Sequence, residues 1–310
     1  MNNRRNQIIA AAAIVLIPVL VWAAARLGDP PAPAERPQPP ASAALVRGPE
    51  VPPDVAQLLA QERNWRAARR LRELTTPRSD PELLLIAAKA EAAWGGWENV
   101  FDLLEGKDWL DRTGGGDGWY LLGRAWEQAG RWEQAAAAYG RYVSLRADTG
   151  SARHRGERAV GELRHALALL HAGRVEDGVR ALDHARERIP AVAGWVAVLA
   201  AEALAERGDT ARVRAFLAAE EDDLPSAARA RAARLRAHQQ AGDVAGVRAL
   251  AESYLQSARD STERAPLLLA AARAMLRLGD TATARQRLRT ALAEAPATAA
   301  ARDAAGALSG

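Results

Sequence analysis

Glycine recurs along this 310-residue chain at nearly constant intervals, each time between two stretches of helical periodicity. The successive intervals are 35, 43, 35, 34 and 37 residues, and the longest contains an evident loop, Ala147–Arg155. A period of this length is typical of arrays of helical repeats. The six glycines are Gly95, Gly130, Gly173, Gly208, Gly242 and Gly279.

Each of these glycines lies where a helix would end in a left-handed residue, and a new helix can begin just after it. Asp209, Asp243 and Asp280 are expected to accept hydrogen bonds from the first N–H groups of those helices. A further hairpin, Asp54–Leu74, hinges near Asn64 without a glycine. The pattern predicts about seven helix–turn–helix units, with first helices starting near residues 54, 81, 117, 156, 191, 225 and 263.

No segment shows a sustained alternation of β-branched residues between turns, so the pattern does not predict a sheet. The chain is predicted to be all-α, an α-solenoid of helical hairpins wound as a right-handed superhelix. Much of the 49% hydrophobic content is alanine, punctuated by nine tryptophans. In one hairpin, Gly123 and Ala135 are expected where two helices approach closely, with Trp126 and Tyr139 filling the space beside them.

The units resemble the tetratricopeptide repeat (TPR), over roughly Asp54–Pro296. The third unit departs from the TPR pattern at its last two positions, Tyr142 and Ala147, and the fifth and sixth carry Val213 and Val247 where alanine is usual. The resemblance implies the architecture and says little about function. The matching residues are Trp119, Leu122, Gly123, Trp126, Gly130, Ala135 and Tyr139 in the third unit, Gly173, Leu182, Ala185 and Pro190 in the fourth, and Gly279, Ala284, Leu288, Ala291 and Pro296 in the last.

The first 27 residues are predicted to be a transmembrane signal anchor. Arg4 and Arg5 precede an uncharged run of 18 residues, Ile8–Ala25, which is long enough to span a bilayer as a helix, and Arg26 follows. This charge pattern predicts a cytoplasmic N-terminus and a body exported to a bacterial periplasm. A cleaved signal peptide is the alternative, because Ala23–Ala25 offers small residues at a possible cleavage site.

A proline-rich linker is predicted over residues 28–53. Asp29–Pro53 holds nine prolines in 25 residues, which excludes a helix or a central strand and indicates a semi-rigid extended spacer. The repeat domain then occupies residues 54–310.

No pattern of catalytic or metal-binding residues is evident. The five histidines form neither an HExxH pair nor a metal cluster, and the absence of cysteine excludes thiolate chemistry and disulfides. Gly114–Gly118 (GGGDG) lacks the Lys-Ser/Thr of a P-loop, and only Asp111 and Asp117 are near enough for a calcium loop, so a connector before a helix is expected. The acidic run Glu220–Asp223 indicates a solvated loop. We expect no enzyme activity, no cofactor and no metal.

The charges are nearly balanced, since 42 Lys and Arg face 38 Asp and Glu. The two signs are interleaved along the helices, which is typical of a solvated surface with local ion pairs. A nucleic-acid partner would call for a clustered basic face and is not expected.

The resemblance also implies a partner-binding groove, because the first helices of TPR units line the concave wall of the superhelix. The C-terminal part of this wall is rich in arginine, whose forked guanidinium suits carboxylates, so an extended or C-terminal peptide is the expected partner. The alternative is that these arginines are merely solvated. The groove positions carry Tyr120, Arg124, Glu127, Gln128, His171, Trp195, Glu202, Arg236, Gln239, Arg273 and Arg277.

Anchor, spacer and repeats together predict a non-catalytic, membrane-tethered periplasmic scaffold that binds envelope proteins or peptides in a membrane-associated complex. The alternative is the superhelical, non-catalytic region of a soluble lytic transglycosylase-like enzyme whose catalytic domain is missing from this chain. The Ala-rich helical composition carries that weaker resemblance. Ala300–Gly310 resembles the start of another hairpin, which is consistent with a chain that belongs to a longer protein. No small-molecule substrate is predicted.

Overall fold

A computed structural model describes residues 51–146, 152–218, 227–258 and 260–309 of the chain, and these residues form helices and turns without any strand. The predicted span Ile8–Ala25, the linker up to residue 50 and the acidic run Glu220–Asp223 lie outside the described residues. In the part that is described, no helix combines the length and apolarity needed to cross a membrane.

The described residues contain fifteen α-helices, which form seven consecutive hairpins and one further helix. Short 3₁₀ turns lie at Gly114–Gly116 and Pro190–Val192. The helices are α1 (Pro53–Ala60), α2 (Asn64–Leu74), α3 (Pro81–Trp94), α4 (Trp97–Leu104), α5 (Asp117–Gln128), α6 (Trp132–Leu145), α7 (Ala152–His171), α8 (Val175–Arg188), α9 (Ala193–Ala205), α10 (Thr210–Phe216), α11 (Ala227–Gln240), α12 (Val244–Ser257), α13 (Ser261–Arg277), α14 (Thr281–Glu294) and α15 (Ala299–Ser309).

The predicted hairpins are confirmed, because every first helix begins within four residues of its expected start. All six recurring glycines have positive φ, from 70° at Gly130 to 96° at Gly95, as the end of a helix requires. Carboxylates of Asp209, Asp243 and Asp280 accept hydrogen bonds from backbone N–H groups at the start of α10, α12 and α14, as predicted. Local chemistry therefore sets the turn between the two helices of a hairpin.

The first hairpin makes its turn in a different way. It has no glycine, and Glu62 itself takes the left-handed conformation at φ 56°. A side chain in this region costs roughly 1–2 kcal/mol, because Cβ crowds the following carbonyl oxygen. The hydrogen bonds from Glu62 N to Leu59 O and from Arg63 N to Leu58 O close the turn and hold this strained residue.

The described residues fall into two compact units, one ending at Ala191 and the other starting at Val192. In the first unit, helices α1 to α8 each pack on the next in sequence, and α3 also contacts α5. In the second, helices that are consecutive in sequence from α9 to α15 also pack on one another, while α9 contacts α11 and α13 contacts α15. This packing of sequence neighbours within a unit is the packing of an α-solenoid.

Close helix approach inside a hairpin is best seen between α5 and α6. A Cβ atom added at Gly123 would lie 2.6 Å and 2.7 Å from two ring carbons of Tyr139, whose side chain is fully buried. Ala135 is also fully buried beside Tyr139, and the Trp126 ring packs on Phe101 of α4 at 4.1 Å between centroids. The predicted alternation of small and large residues thus serves packing.

Candidate partner-binding surfaces

In the first unit, two predicted groove residues of α5 take part in an internal polar network. Glu127 accepts a hydrogen bond from the Tyr139 hydroxyl of α6 at 2.5 Å. Both of its carboxylate oxygens also accept from Arg164 of α7, at 3.0 and 3.1 Å. The same guanidinium donates to the Tyr120 hydroxyl at 3.1 Å, so one arginine ties α5 to α7.

This network is largely removed from solvent, with only 6% of the Arg164 side chain and 12% of the Glu127 side chain exposed. Burial and the neighbouring Glu127 carboxylate raise the pKa of Tyr139 well above its usual value. Tyr139 therefore stays protonated and acts as the donor to Glu127. Such a buried charge pair positions helices relative to one another, because it is stable only when both partners are in place.

The remaining groove residues of this unit, Arg124, Gln128 and His171, differ in their exposure. The Arg124 guanidinium lies over the Trp97 ring at 5.4 Å and only 3.8 Å from Glu127, and Gln128 is exposed. His171 stacks on Trp132 with ring centroids 4.3 Å apart, and burial lowers its pKa, so it is neutral at pH 7. Gln128 is therefore open to a partner, whereas Arg124 and His171 are partly buried.

The carboxylates of Asp111, ahead of the GGGDG segment, and of Asp117, within it, are bound by cations of the protein itself. Asp111 accepts hydrogen bonds from Arg141 and from Trp119 Nε1, and these bonds lower its pKa to about 2. Asp117 pairs with Lys89 at 2.5 Å and with Arg146. Their role is to join α5 to α3 and α6, as expected for a structural connector.

In the second unit, the predicted groove residues of α9, and Arg236 of α11, also interact with other side chains of the protein. Glu202 of α9 accepts two hydrogen bonds from Arg229 of α11, at 2.7 and 2.6 Å, and this guanidinium lies 5.8 Å from the centre of the Trp195 ring. Arg236 forms a solvent-exposed ion pair with Glu206 at 2.6 Å. Exposed pairs of this kind contribute about 0–1 kcal/mol, so a partner carboxylate could displace Glu206 at little cost.

A cleft of about 350 Å³ lies farther along this unit, between α11, α12 and α13. Its apolar floor includes Val247, Ala270 and Ala274. Three predicted groove residues line it, namely Gln239, Arg273 and Arg277, together with His238, which is held by Asp243 at 2.7 Å.

The cations of this cleft differ in their pairing. Arg273 pairs with Asp303 at 2.9 Å, and both side chains are more than half exposed. Arg277 is exposed and forms no ion pair with any residue of the described ranges. The cleft therefore presents two guanidinium groups that can reach a carboxylate without the loss of a buried interaction.

Two residues that organise these surfaces were not singled out in the sequence. Arg164 lies at a position that the TPR pattern does not assign to the groove. Arg229 lies thirteen residues before Gly242, as Trp195 lies thirteen residues before Gly208, so its position is a groove position that was passed over. The sequence offers no signal for Arg164, since Glu162 and His165 beside it are polar as well. The pairing of either arginine with a carboxylate on another hairpin has no local signature. The assignment of the eleven groove residues to a partner remains a prediction.

Comparison with protein-family models finds the tetratricopeptide repeat at residues 117–149 and again at 267–298. These segments are the α5–α6 hairpin of the first unit and the larger part of the α13–α14 hairpin of the second. They are the two repeats in which the sequence pattern was most complete. A search of curated proteins found no match.

Proposed function

Because the chain is a TPR-like helical repeat protein, we propose that it is a non-catalytic, membrane-tethered periplasmic scaffold for other envelope proteins or peptides. Repeats of this kind generally act in protein–protein interaction, since their stacking creates extended contact surfaces. The envelope location and the membrane tether rest on the sequence alone, on the uncharged run Ile8–Ala25 between arginines and the proline-rich segment after it. The scaffold would assemble or stabilise a membrane-associated complex.

The arginine-lined cleft of the second unit is the observation that carries the binding proposal. Its guanidinium groups are exposed and weakly paired, while His238 and Gln239 add polar groups above an apolar floor. This combination fits an extended peptide with a carboxylate, either an acidic side chain or a chain end. The buried Glu127–Arg164 network does not compete for this role, because its groups already satisfy one another.

Replacement of both cleft arginines (Arg273→Ala with Arg277→Ala) is expected to reduce partner capture by about tenfold or more, since charge-assisted hydrogen bonds to a carboxylate contribute roughly 1.5–3 kcal/mol. Full-length protein in mild detergent would be used as bait in an envelope extract, with bound proteins quantified by mass spectrometry. The matched control replaces Arg285 and Arg289, two exposed arginines of α14 outside the cleft. Equal capture by both variants would contradict the assignment of the cleft, and an empty wild-type bait would contradict the scaffold.

The proposed location has a separate test. Protease added to intact spheroplasts is expected to digest the repeat units, because a periplasmic body is exposed once the outer membrane is opened. A cytoplasmic marker protein must stay intact in the same sample. Protection of the repeat units together with that marker would overturn the location and would leave the cleft assignment standing.

A further inference from the structure

Two tryptophans of the first unit are unusually exposed and line the same open hollow. Trp65 of α2 is 49% exposed and Trp94, the last residue of α3, is 42% exposed. The hollow has a volume of about 560 Å³ and lies at the turn between α1 and α2, next to the end of α3. Large apolar side chains grouped on a surface commonly mark an interaction site.

The buried carboxylate of Glu91 holds the Trp94 indole in place. The side chain of Glu91 is fully buried, and its Oε2 accepts hydrogen bonds from Trp94 Nε1 at 3.0 Å and from Asn99 Nδ2 at 2.9 Å. Arg72 Nε lies 2.8 Å from Glu91 Oε1. The indole is therefore anchored through its N–H while much of its ring remains open, which makes it a preorganised platform for stacking.

The rim of the hollow carries positive charge. The Arg69 guanidinium lies 5.9 Å from the centre of the Trp65 ring, and Arg63 and Arg66 line the hollow itself. Neither Arg63 nor Arg66 has an ion-pair partner within the part of the chain that the structure describes. Glu62 is the one acidic residue among the lining residues, so the hollow as a whole favours an anionic ligand.

We propose that this tryptophan hollow binds the proline-rich segment of the same chain, residues 29–50. Extended proline-rich segments dock into aromatic-lined grooves, because proline rings pack on aromatic faces and little chain entropy is lost. The segment contains seven prolines and the carboxylates Asp29, Glu35 and Glu50, beside two arginines. Glu35 lies two residues from Pro33 and from Pro37, so stacked prolines would bring a carboxylate to the arginine rim.

The segment can reach the hollow. It joins the described chain at Val51, just before α1, and the hollow begins at the other end of this eight-residue helix. That end is roughly 12 Å away at the rise of an α-helix. Val51 is the thirteenth residue after Gln38, and an extended chain of this length spans up to about 40 Å. Covalent attachment raises the effective concentration of the segment at the hollow.

The absence of cysteine from the chain allows a direct test by disulfide trapping. One cysteine is introduced by Gln38→Cys, between two prolines, and the second by Ala93→Cys, an exposed alanine that lines the hollow. Full-length protein is oxidised at low concentration in mild detergent, and the intrachain disulfide is quantified by mass spectrometry. The matched control combines Gln38→Cys with Ala137→Cys, an exposed alanine of α6 that does not line the hollow.

We expect the Ala93 pair to form at least about tenfold faster than the Ala137 pair, because a bound segment has a much higher local concentration than a tethered one. Trp65→Ala and Arg66→Ala, each added to the Ala93 pair, should remove most of this advantage, with circular dichroism confirming the helical fold. Equal rates for the two pairs overturn the proposal, as does a rate unchanged in both of these variants. Disulfides formed mainly between chains overturn it as well, since they assign the hollow to a second copy.

Discussion

Replacing Glu127 with alanine is expected to lower the free energy of unfolding by about 3–5 kcal/mol, the cost of leaving a buried charge without its partner. The charge is that of Arg164, which has only 6% of its side chain exposed and would retain the Tyr120 hydroxyl as its remaining side-chain acceptor in the network. Tyr139 would lose its acceptor in the same variant. Urea denaturation followed by circular dichroism measures the loss.

Two further variants distinguish the loss of this ion pair from a loss of stability that any substitution in α5 would cause. Gln128→Ala removes an exposed neighbour and should change stability by less than about 0.5 kcal/mol. Arg164→Ala combined with Glu127→Ala should cost less than the sum of the two single replacements, because neither charge is then left unpaired. Equal losses for Glu127→Ala and Gln128→Ala would show that the network does not stabilise the unit.

Valine at position 123 is expected to destabilise the protein by about 3 kcal/mol, at the upper end of the range for overpacking. Its Cβ would lie 2.6 Å from the Tyr139 ring, and two further methyl groups would have to be accommodated beside a fully buried side chain. The same change at Gly156 of α7 is the control. A Cβ at Gly156 meets no described atom within 4 Å, and its φ is not positive, so Gly156→Val should be neutral or slightly stabilising.

Thermal melts of the two valine variants provide the measurement. The expected result is a clear fall in melting temperature for Gly123→Val and a small change for Gly156→Val. If both variants melt like the wild type, the close approach of α5 and α6 at Gly123 is not a requirement of the fold.

Most of the hairpin architecture could be predicted, because the interactions that define it are local. A glycine in the left-handed conformation and an aspartate that caps the next helix involve residues only a few positions apart, as at Gly208 and Asp209. The turn at Glu62 is one that such local patterns did not predict. This turn is held by the two backbone hydrogen bonds to Leu58 and Leu59, and nothing in the residue type of Glu62 predicts φ 56°.

The candidate surfaces were predicted less completely, because helical periodicity assigns a residue to a face and not to a partner. The TPR pattern placed Glu127 and Arg277 on the same wall, yet Glu127 is bound by an arginine 37 residues away, while Arg277 has no ion pair in the described ranges. The same limit applies to Trp65 and Trp94, which belong to different hairpins and line one hollow only in the folded unit.

By itself, the sequence determined the helices, the glycine turns and the aspartate caps, because these depend on backbone conformation and on hydrogen bonds between near neighbours. It also determined where two helices approach closely, since only glycine or alanine fits there, as at Gly123. The tertiary structure alone decided which charged groups are neutralised inside and which remain available outside. Arg164 and Arg277 are chemically identical side chains, and only the position of a carboxylate on a neighbouring hairpin makes one a structural pair and the other a possible contact for a partner.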